Sequence, residues 1–179
     1  MKIILITGGQ SCGKSTYAEN RSLSFNGKRA FLATAQAFDQ EMKEKIKNHQ
    51  LTRGNNFYTY EEPLNLTSKI KDIQKDNYEV LLLDCLTMWV SNLLLKHENE
   101  DKSIIENEFE KFKNFLIKLK EESHIKEIII VTNETGWGII PDNKLARKYI
   151  IFLGRLNKMI AEISDEVFLM VSGIEVKIK

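Results

Sequence analysis

The chain has few of the residues that mark secreted, fibrous or multidomain proteins. Two cysteines, Cys12 and Cys85, are too few for a disulfide framework among 179 residues and suit a reducing compartment. Two prolines and nine glycines, with no run rich in either, leave no linker, repeat or low-complexity segment. A single globular domain spanning residues 1–179 is therefore expected, able to bury about two-thirds of its unfolded surface. Charge of one sign is missing too. Twenty-six basic residues against 25 acidic ones leave a net charge of +1, so no global field recruits nucleic acid or a membrane surface, and neither is expected as a partner. No apolar run is long enough for a membrane span: the stretch from Val80 to Leu95 is interrupted by Asp84 and falls short of the roughly 20 residues required. From Met1 the chain enters a strand pattern with no basic leader or apolar signal core, and a cytoplasmic location is expected.

What is present is an alternation of apolar strand-length runs with helical patterns, the signature of a mostly parallel sheet joined by crossover helices. The expected strands are Lys2 to Thr7, Arg29 to Thr34, Phe57 to Tyr60, Val80 to Asp84, Glu127 to Thr132 and Val167 to Ser172. The expected helices lie near Ser15 to Ser24, Asp39 to Gln50, Leu64 to Gln74, Leu86 to Leu95, Ser103 to Glu121 and Asn143 to Ile163. Asp39 and Asn143 suit helix N-caps, and Pro63 suits a first helical position. The tail "SGIEVKIK" alternates Ile174, Val176 and Ile178 after a glycine, which predicts an antiparallel edge strand turning back on its predecessor.

One stretch carries chemistry by itself. In "IILITGGQSCGKSTYAE", the residues Gly8, Gly9, Gln10, Ser11, Cys12, Gly13, Lys14 and Ser15 satisfy the G-x-x-x-x-G-K-[ST] pattern between a strand and a helix start. Its glycines let successive backbone N–H groups turn inward on phosphate oxygens, and the helix that follows presents its positive end to the same anion. Lys14 is placed to bridge terminal phosphates and Ser15 to ligate Mg2+, so the fold class expected is a P-loop NTPase-like α/β sheet. The motif implies a bound nucleotide but does not say which group is transferred.

Asp84, ending "VLLLDC", is expected at the carboxyl end of a buried strand, either holding Mg2+ through water or capping the helix near Leu86. Glu61, Glu62 and Glu134 also follow strands and belong on the same rim, to read a base or ribose or simply to face solvent. Of three histidines, His97 and His124 lie in charged, solvent-facing surroundings. His49, in "DQEMKEKIKNHQLTRG", shares a helical face with Met42 and Ile46 and is bracketed by Lys45 and Arg53. A neutral imidazole between two cations can attack phosphorus. It can equally be half-packed on an amphipathic helix, and spacing alone leaves both readings open.

Beyond these motifs, the chain resembles the bifunctional adenosylcobinamide kinase / adenosylcobinamide-phosphate guanylyltransferase family over nearly its whole length. The likeness rests on "ITGGQSCGKSTYAE", "FLATAQAFDQEMKEKIKNHQLTR", "YEEP", "LLLDCLTMWVSNLL", "VTNETGWGIIPDNKLARKY" and "GRLNKMIAEISDEVFLMVSGIEVKIK", in family order and spacing. The resemblance implies phosphorylation of the aminopropanol hydroxyl of adenosylcobinamide by ATP or GTP. Transfer of GMP from GTP to that phosphate would follow, giving adenosylcobinamide-GDP. It places the guanylylated histidine on His49 and implies catalytic roles for His49 and Lys14. Nucleotide contacts carry over to Gly8 through Ser15, to Thr34, Ala35 and Gln36, to Gln50, Leu51, Thr52 and Arg53, and to Glu61 and Asp84, with Mg2+ at Ser15 and Asp84. A homotrimer with sites between subunits is also implied. Two departures stand out: Ser11 and Cys12 occupy positions where family loops carry Arg then Ser, and Asn48 stands where some relatives have a second histidine.

Other readings remain at this stage. A P-loop kinase of another small metabolite would share the loop. A GTP-binding switch would need a guanine-specificity motif, yet "VTNETG" has Glu134 where its lysine belongs. A recombination ATPase would share the sheet but would need a basic, aromatic-interleaved surface.

Overall fold

The computed structural model describes residues 1–36 and 54–179. The expected helix from Asp39 to Gln50, with its N-cap, lies outside the described residues. The elements in chain order are β1 (Lys2–Gly8), α1 (Lys14–Leu23), β2 (Lys28–Ala33), a 3-10 turn (Gly54–Asn56), β3 (Tyr58–Glu61), α2 (Leu66–Ile73) and β4 (Tyr78–Asp84). There follow α3 (Leu86–Lys96), α4 (Ser103–Glu122), β5 (Glu127–Val131), α5 (Lys144–Ile163), β6 (Glu166–Val171) and β7 (Ile174–Lys177). Every described element expected from the sequence is present, with ends displaced by a residue or two.

The seven strands form one sheet in the order β3-β2-β4-β5-β1-β6-β7, parallel throughout except for the β6–β7 pair. The runs of the inner strands β1, β4 and β5 are continuously apolar because both faces are covered. In β1, Ile3 and Leu5 join the core formed with α2, α3, α4 and α5, while Ile4 and Ile6 join the opposite core with Ala18 of α1 and with Phe31 and Phe168. Leu81 and Leu83 against Val80 and Leu82 in β4, and Ile128 and Ile130 against Ile129 and Val131 in β5, divide in the same way. This two-residue period across the sheet explains why the inner strands β1, β4 and β5 do not read as amphipathic, in contrast to the exposed edge strands β3 and β7.

Helix patterning follows its own period. In α4, Ile105, Phe109, Phe112, Leu116 and Leu119 form the buried stripe, and Trp89 of α3 packs against Phe109 and Phe112 at ring-centroid distances of 5.7 and 5.0 Å. Asn143 caps α5 as expected, its side chain accepting from the Ala146 amide. Pro63 is not the first residue of α2. The helix begins at Leu66, because the Glu62 carboxylate accepts from the amides of Leu64 and Asn65 at 2.9 and 2.8 Å and holds the chain in a turn there. Glu62 is thereby committed to this turn. At the amino end of the sheet, Arg21 ties α1 to β5 and β6. It makes two 3.0 Å bonds to Glu127 and a 3.1 Å contact with Glu166, and these carboxylates raise its pKa further above its usual range.

Candidate functional site

Parallel registration aligns the carboxyl ends of the inner strands. Asp84 pairs with Val131, Ile6 with Val131, Ala33 with both Asp84 and Glu61, and Gly8 with Met170. The phosphate loop therefore emerges on the same rim as the residues that follow β2, β4 and β5, the usual ligand edge of an open α/β sheet.

The loop's shape depends on its glycines. Gly13 has φ +97, and a Cβ there would also lie 3.2 Å from the Cα of Gly173 in the β6–β7 turn. At Gly8, φ is +147 and a Cβ would fall 2.6 Å from the Met170 carbonyl oxygen and 2.8 Å from Cys12 Sγ. Ser11 adopts a left-handed conformation at φ 57. The Gly173 amide donates to the Cys12 carbonyl at 3.0 Å, so the C-terminal hairpin braces the loop from outside. Lys14 is buried, with Nζ donating to the Gly9 carbonyl and 3.7 Å from Cys12 Sγ. Its ammonium is thus held over the loop, where phosphate oxygens would replace the carbonyl.

Ser15 and Asp84 are 69 residues apart in sequence, yet Ser15 Oγ donates to Asp84 Oδ2 at 3.1 Å. Asp84 therefore stands beside the phosphate loop. The residue at the N-cap position of α3 is Cys85, with no side-chain cap. A hydroxyl beside a carboxylate is an all-oxygen donor pair that fits Mg2+, which keeps several waters and takes phosphate oxygens as its other ligands. Among the described residues there is no cluster of three or more His, Cys, Asp or Glu that could hold a metal.

Thr34 is fully buried, and its hydroxyl is spent on the β4–α3 junction. It donates to the Cys85 carbonyl at 2.7 Å and accepts from the Cys85 amide at 2.9 Å. The Thr34 amide donates to the Asp84 carbonyl at 3.1 Å, and Asn92 Nδ2 donates to the Thr34 carbonyl at 2.8 Å. This side chain therefore holds Asp84 in place. Ala35 and Gln36 follow it, half-buried on the rim, and Glu61 stands exposed at the end of β3. Burial and the neighbouring Asp84 push the Cys85 thiol up to about 12. The partly buried Tyr149 hydroxyl, 3.4 Å from the Thr87 carbonyl, is likewise raised to about 12 by burial first and by Cys85 second.

A polar network on the other side of the loop was largely invisible in the sequence. Glu134 Oε1 accepts from Thr7 Oγ1 at 2.9 Å and from Asn157 Nδ2 at 3.2 Å. Asn157 also donates to the Asn133 carbonyl at 3.0 Å and accepts from Thr132 Oγ1 at 2.7 Å. The available signal was Asn157 itself, an amide within the buried stripe Phe152, Leu153, Leu156 and Ile160 of α5. Beyond Glu134 the chain forms an exposed loop in which Trp137, Ile139 and Ile140 are 75%, 95% and 78% exposed. His124 is exposed as expected, but His97 is half-buried beside Glu100, because α3 ends against α4 and α5 there. His49, Gln50, Leu51, Thr52 and Arg53 lie outside the described residues.

Comparison with known proteins agrees with this geometry. By fold, the RadB recombinase is similar at a TM-score of 0.54 and 15% identity, over 94% of this chain and 73% of that one. By sequence, the chain is 36% identical to the bifunctional adenosylcobalamin biosynthesis protein CobU of Escherichia coli and 38% identical to that of Salmonella typhimurium, in both cases over 99% of each chain. It is 36% identical to the bifunctional adenosylcobalamin biosynthesis protein CobP of Pseudomonas aeruginosa, over 98% of this chain and 96% of that protein. Residues 4–178 match the model of the family described as cobinamide kinase / cobinamide phosphate guanyltransferase, and the chain belongs to that family.

Proposed function

We propose that this protein phosphorylates the aminopropanol hydroxyl of adenosylcobinamide and then transfers GMP from GTP to the new phosphate, through guanylylated His49, yielding adenosylcobinamide-GDP and pyrophosphate. The observation that carries the reading is the convergence of Lys14, Ser15 and Asp84 on one rim in a chain of this family. In the kinase half, Lys14 stabilises charge on the transferring phosphoryl group, and the amides of Gly9 to Lys14 orient the triphosphate of ATP or GTP. Ser15 and Asp84 are the residues that would hold Mg2+, which neutralises phosphate charge when bound. In the second half, a ring nitrogen of His49 attacks the α-phosphorus of GTP, and the bond to the bridging oxygen breaks to release pyrophosphate. An oxygen of the corrinoid phosphate then displaces the histidine. Arg53 offers charge to the phosphate during both displacements.

The proposal places Gly8 to Ser15, Thr34 to Gln36, Gln50 to Arg53, Glu61 and Asp84 around nucleotide, with Thr34 acting through the Asp84–Cys85 junction. One domain would carry both activities in the cytoplasm, a compartment that the two free cysteines suit. No helix among the described residues is long and apolar enough to cross a membrane. A homotrimer belongs to the same reading. It is supported by the apolar positions Ile174, Val176 and Ile178, which are 65%, 45% and 59% exposed along the edge strand β7 and just beyond it.

Intact-protein mass spectrometry after incubation with GTP and Mg2+, without corrinoid, tests the mechanism. A single acid-labile GMP adduct is expected in the wild-type protein, and none in His49→Ala or with ATP alone. No adduct with GTP, or an adduct that persists in His49→Ala, rejects the guanylyl-histidine route.

A further inference from the structure

We infer that Glu134 is the proton acceptor of the phosphoryl-transfer half-reaction, an inference that rests on the kinase activity proposed above. Its position comes from the sheet order. Strand β5 lies between β4, which ends at Asp84, and β1, which ends at Gly8, so the residues just beyond β5 emerge between the Ser15–Asp84 pair and the start of the phosphate loop. The Glu134 amide donates to the Gly8 carbonyl at 3.0 Å, and Lys14 Nζ donates to the next carbonyl, that of Gly9. The lysine that meets the terminal phosphates and the backbone of Glu134 are therefore anchored on adjacent residues of the loop, and the Glu134 carboxylate on Thr7 just before them. That is the terminal-phosphate side, where an acceptor hydroxyl must arrive, which argues against the base- or ribose-reading role open to a rim carboxylate from sequence alone.

The carboxylate is also supported on one oxygen only. Oε1 is held by Thr7 and Asn157, which are 5% and 6% exposed, and Asn157 is fixed in turn by the fully buried Thr132. Among the described residues Oε2 has no hydrogen-bond partner, and no cation forms an ion pair with Glu134. The two neutral donors fix the orientation of the carboxylate through Oε1 and leave Oε2 to take a proton. A carboxylate beside a triphosphate is repelled by it unless a proton comes to lie between them, and the acceptor alcohol supplies that proton.

The proton of the aminopropanol hydroxyl moves to Glu134 Oε2, and the hydroxyl oxygen forms a bond to the γ-phosphorus. The bond from that phosphorus to the β–γ bridging oxygen breaks, and its electron pair leaves on the nucleoside diphosphate. Glu134 then returns its proton to solvent.

The test compares wild type, Glu134→Gln and Glu134→Asp in steady-state phosphorylation of adenosylcobinamide with Mg2+ and ATP or GTP, alongside thermal melting of each protein. Gln keeps an oxygen for Thr7 and Asn157 but cannot accept a proton. Its kcat is expected to fall by about 10²–10⁴-fold with KM for both substrates within about threefold of wild type. Asp retains the base at shorter reach and is expected to recover at least about tenfold over Gln at a similar melting temperature. A Glu134→Gln kcat within about threefold of wild type, a loss confined to KM, or an Asp variant no better than Gln overturns the inference while leaving the kinase assignment standing. Failure of the wild-type protein to phosphorylate adenosylcobinamide overturns both, and only that result touches the assignment of function.

Discussion

Replacing Thr34 with Val isolates the junction that positions Asp84. Val has nearly the same shape, so apolar burial at this fully buried position changes little. The hydroxyl's bonds to the Cys85 amide and carbonyl, 2.9 and 2.7 Å, are lost. The two losses are unequal. The Cys85 carbonyl keeps the Trp89 amide as a donor at 3.3 Å, so that side forfeits one net hydrogen bond, about 0.5–1.5 kcal/mol. The Cys85 amide loses its Thr34 acceptor within a packed junction, which costs about 1–3 kcal/mol. The sum, about 1.5–4.5 kcal/mol, corresponds to a fall in melting temperature of roughly 3–18 °C for a chain of this length. Urea denaturation should show the midpoint falling with an unchanged m-value, because the surface exposed on unfolding is the same. Thr34→Ser keeps the hydroxyl and loses one methyl, and should cost about 1 kcal/mol. If Thr34→Val melts within about 1 °C of wild type, or Thr34→Ser is as damaging as Val, the hydroxyl does not hold this junction and the reasoning fails.

The phosphate loop and the buried β4–α3 junction set three further outcomes. Lys14→Ala should lower the kcat of phosphorylation by at least about 10²–10³-fold, measured by transfer of labelled γ-phosphate to adenosylcobinamide, and near-wild-type turnover would remove Lys14 from the site. Stability should fall in alkali. The folded chain keeps the Cys85 and Tyr149 protons up to about 12, whereas the unfolded chain releases them from about pH 8.5 and 10. The contribution is therefore fully present below about pH 8.5 and lost as the pH rises toward 12, at up to about 1.4 kcal/mol per pH unit for each group, and Cys85→Ala should flatten the urea midpoint's decline above about pH 9. Cys12, in the phosphate loop, should react with a thiol reagent at neutral pH and be protected by bound nucleotide, while Cys85 stays unreactive until unfolding. Equal labelling of both cysteines in the native protein would contradict this.

The sequence alone was enough for whatever contiguous backbone encodes. The phosphate loop was legible because its amides, glycines, lysine and serine are consecutive, and a strand–turn–helix context presents them together whatever the rest of the chain does. The inner strands were legible as continuous apolar runs, since a sheet covered on both faces needs apolar side chains at every position, and β7 by its alternation. Asn143 was legible as a cap because the bond to the Ala146 amide spans only three residues. Strand order was not legible. Runs such as "IILI", "VLLLD" and "EIIIV" are interchangeable in hydrophobicity, and which of them become neighbours depends on the packing of helices distant in sequence. That ordering decided everything assembled across strands: Ser15 on Asp84, the Thr34 hydroxyl on Cys85, Gly173 against Gly13, and Glu134 held by Thr7 and Asn157 beside the loop. Apart from Glu134 and Asn157, which are 23 positions apart, each of these contacts joins residues at least 50 positions apart, and at all of these separations local periodicity carries no information, so only the folded sheet brings them within hydrogen-bonding or van der Waals reach.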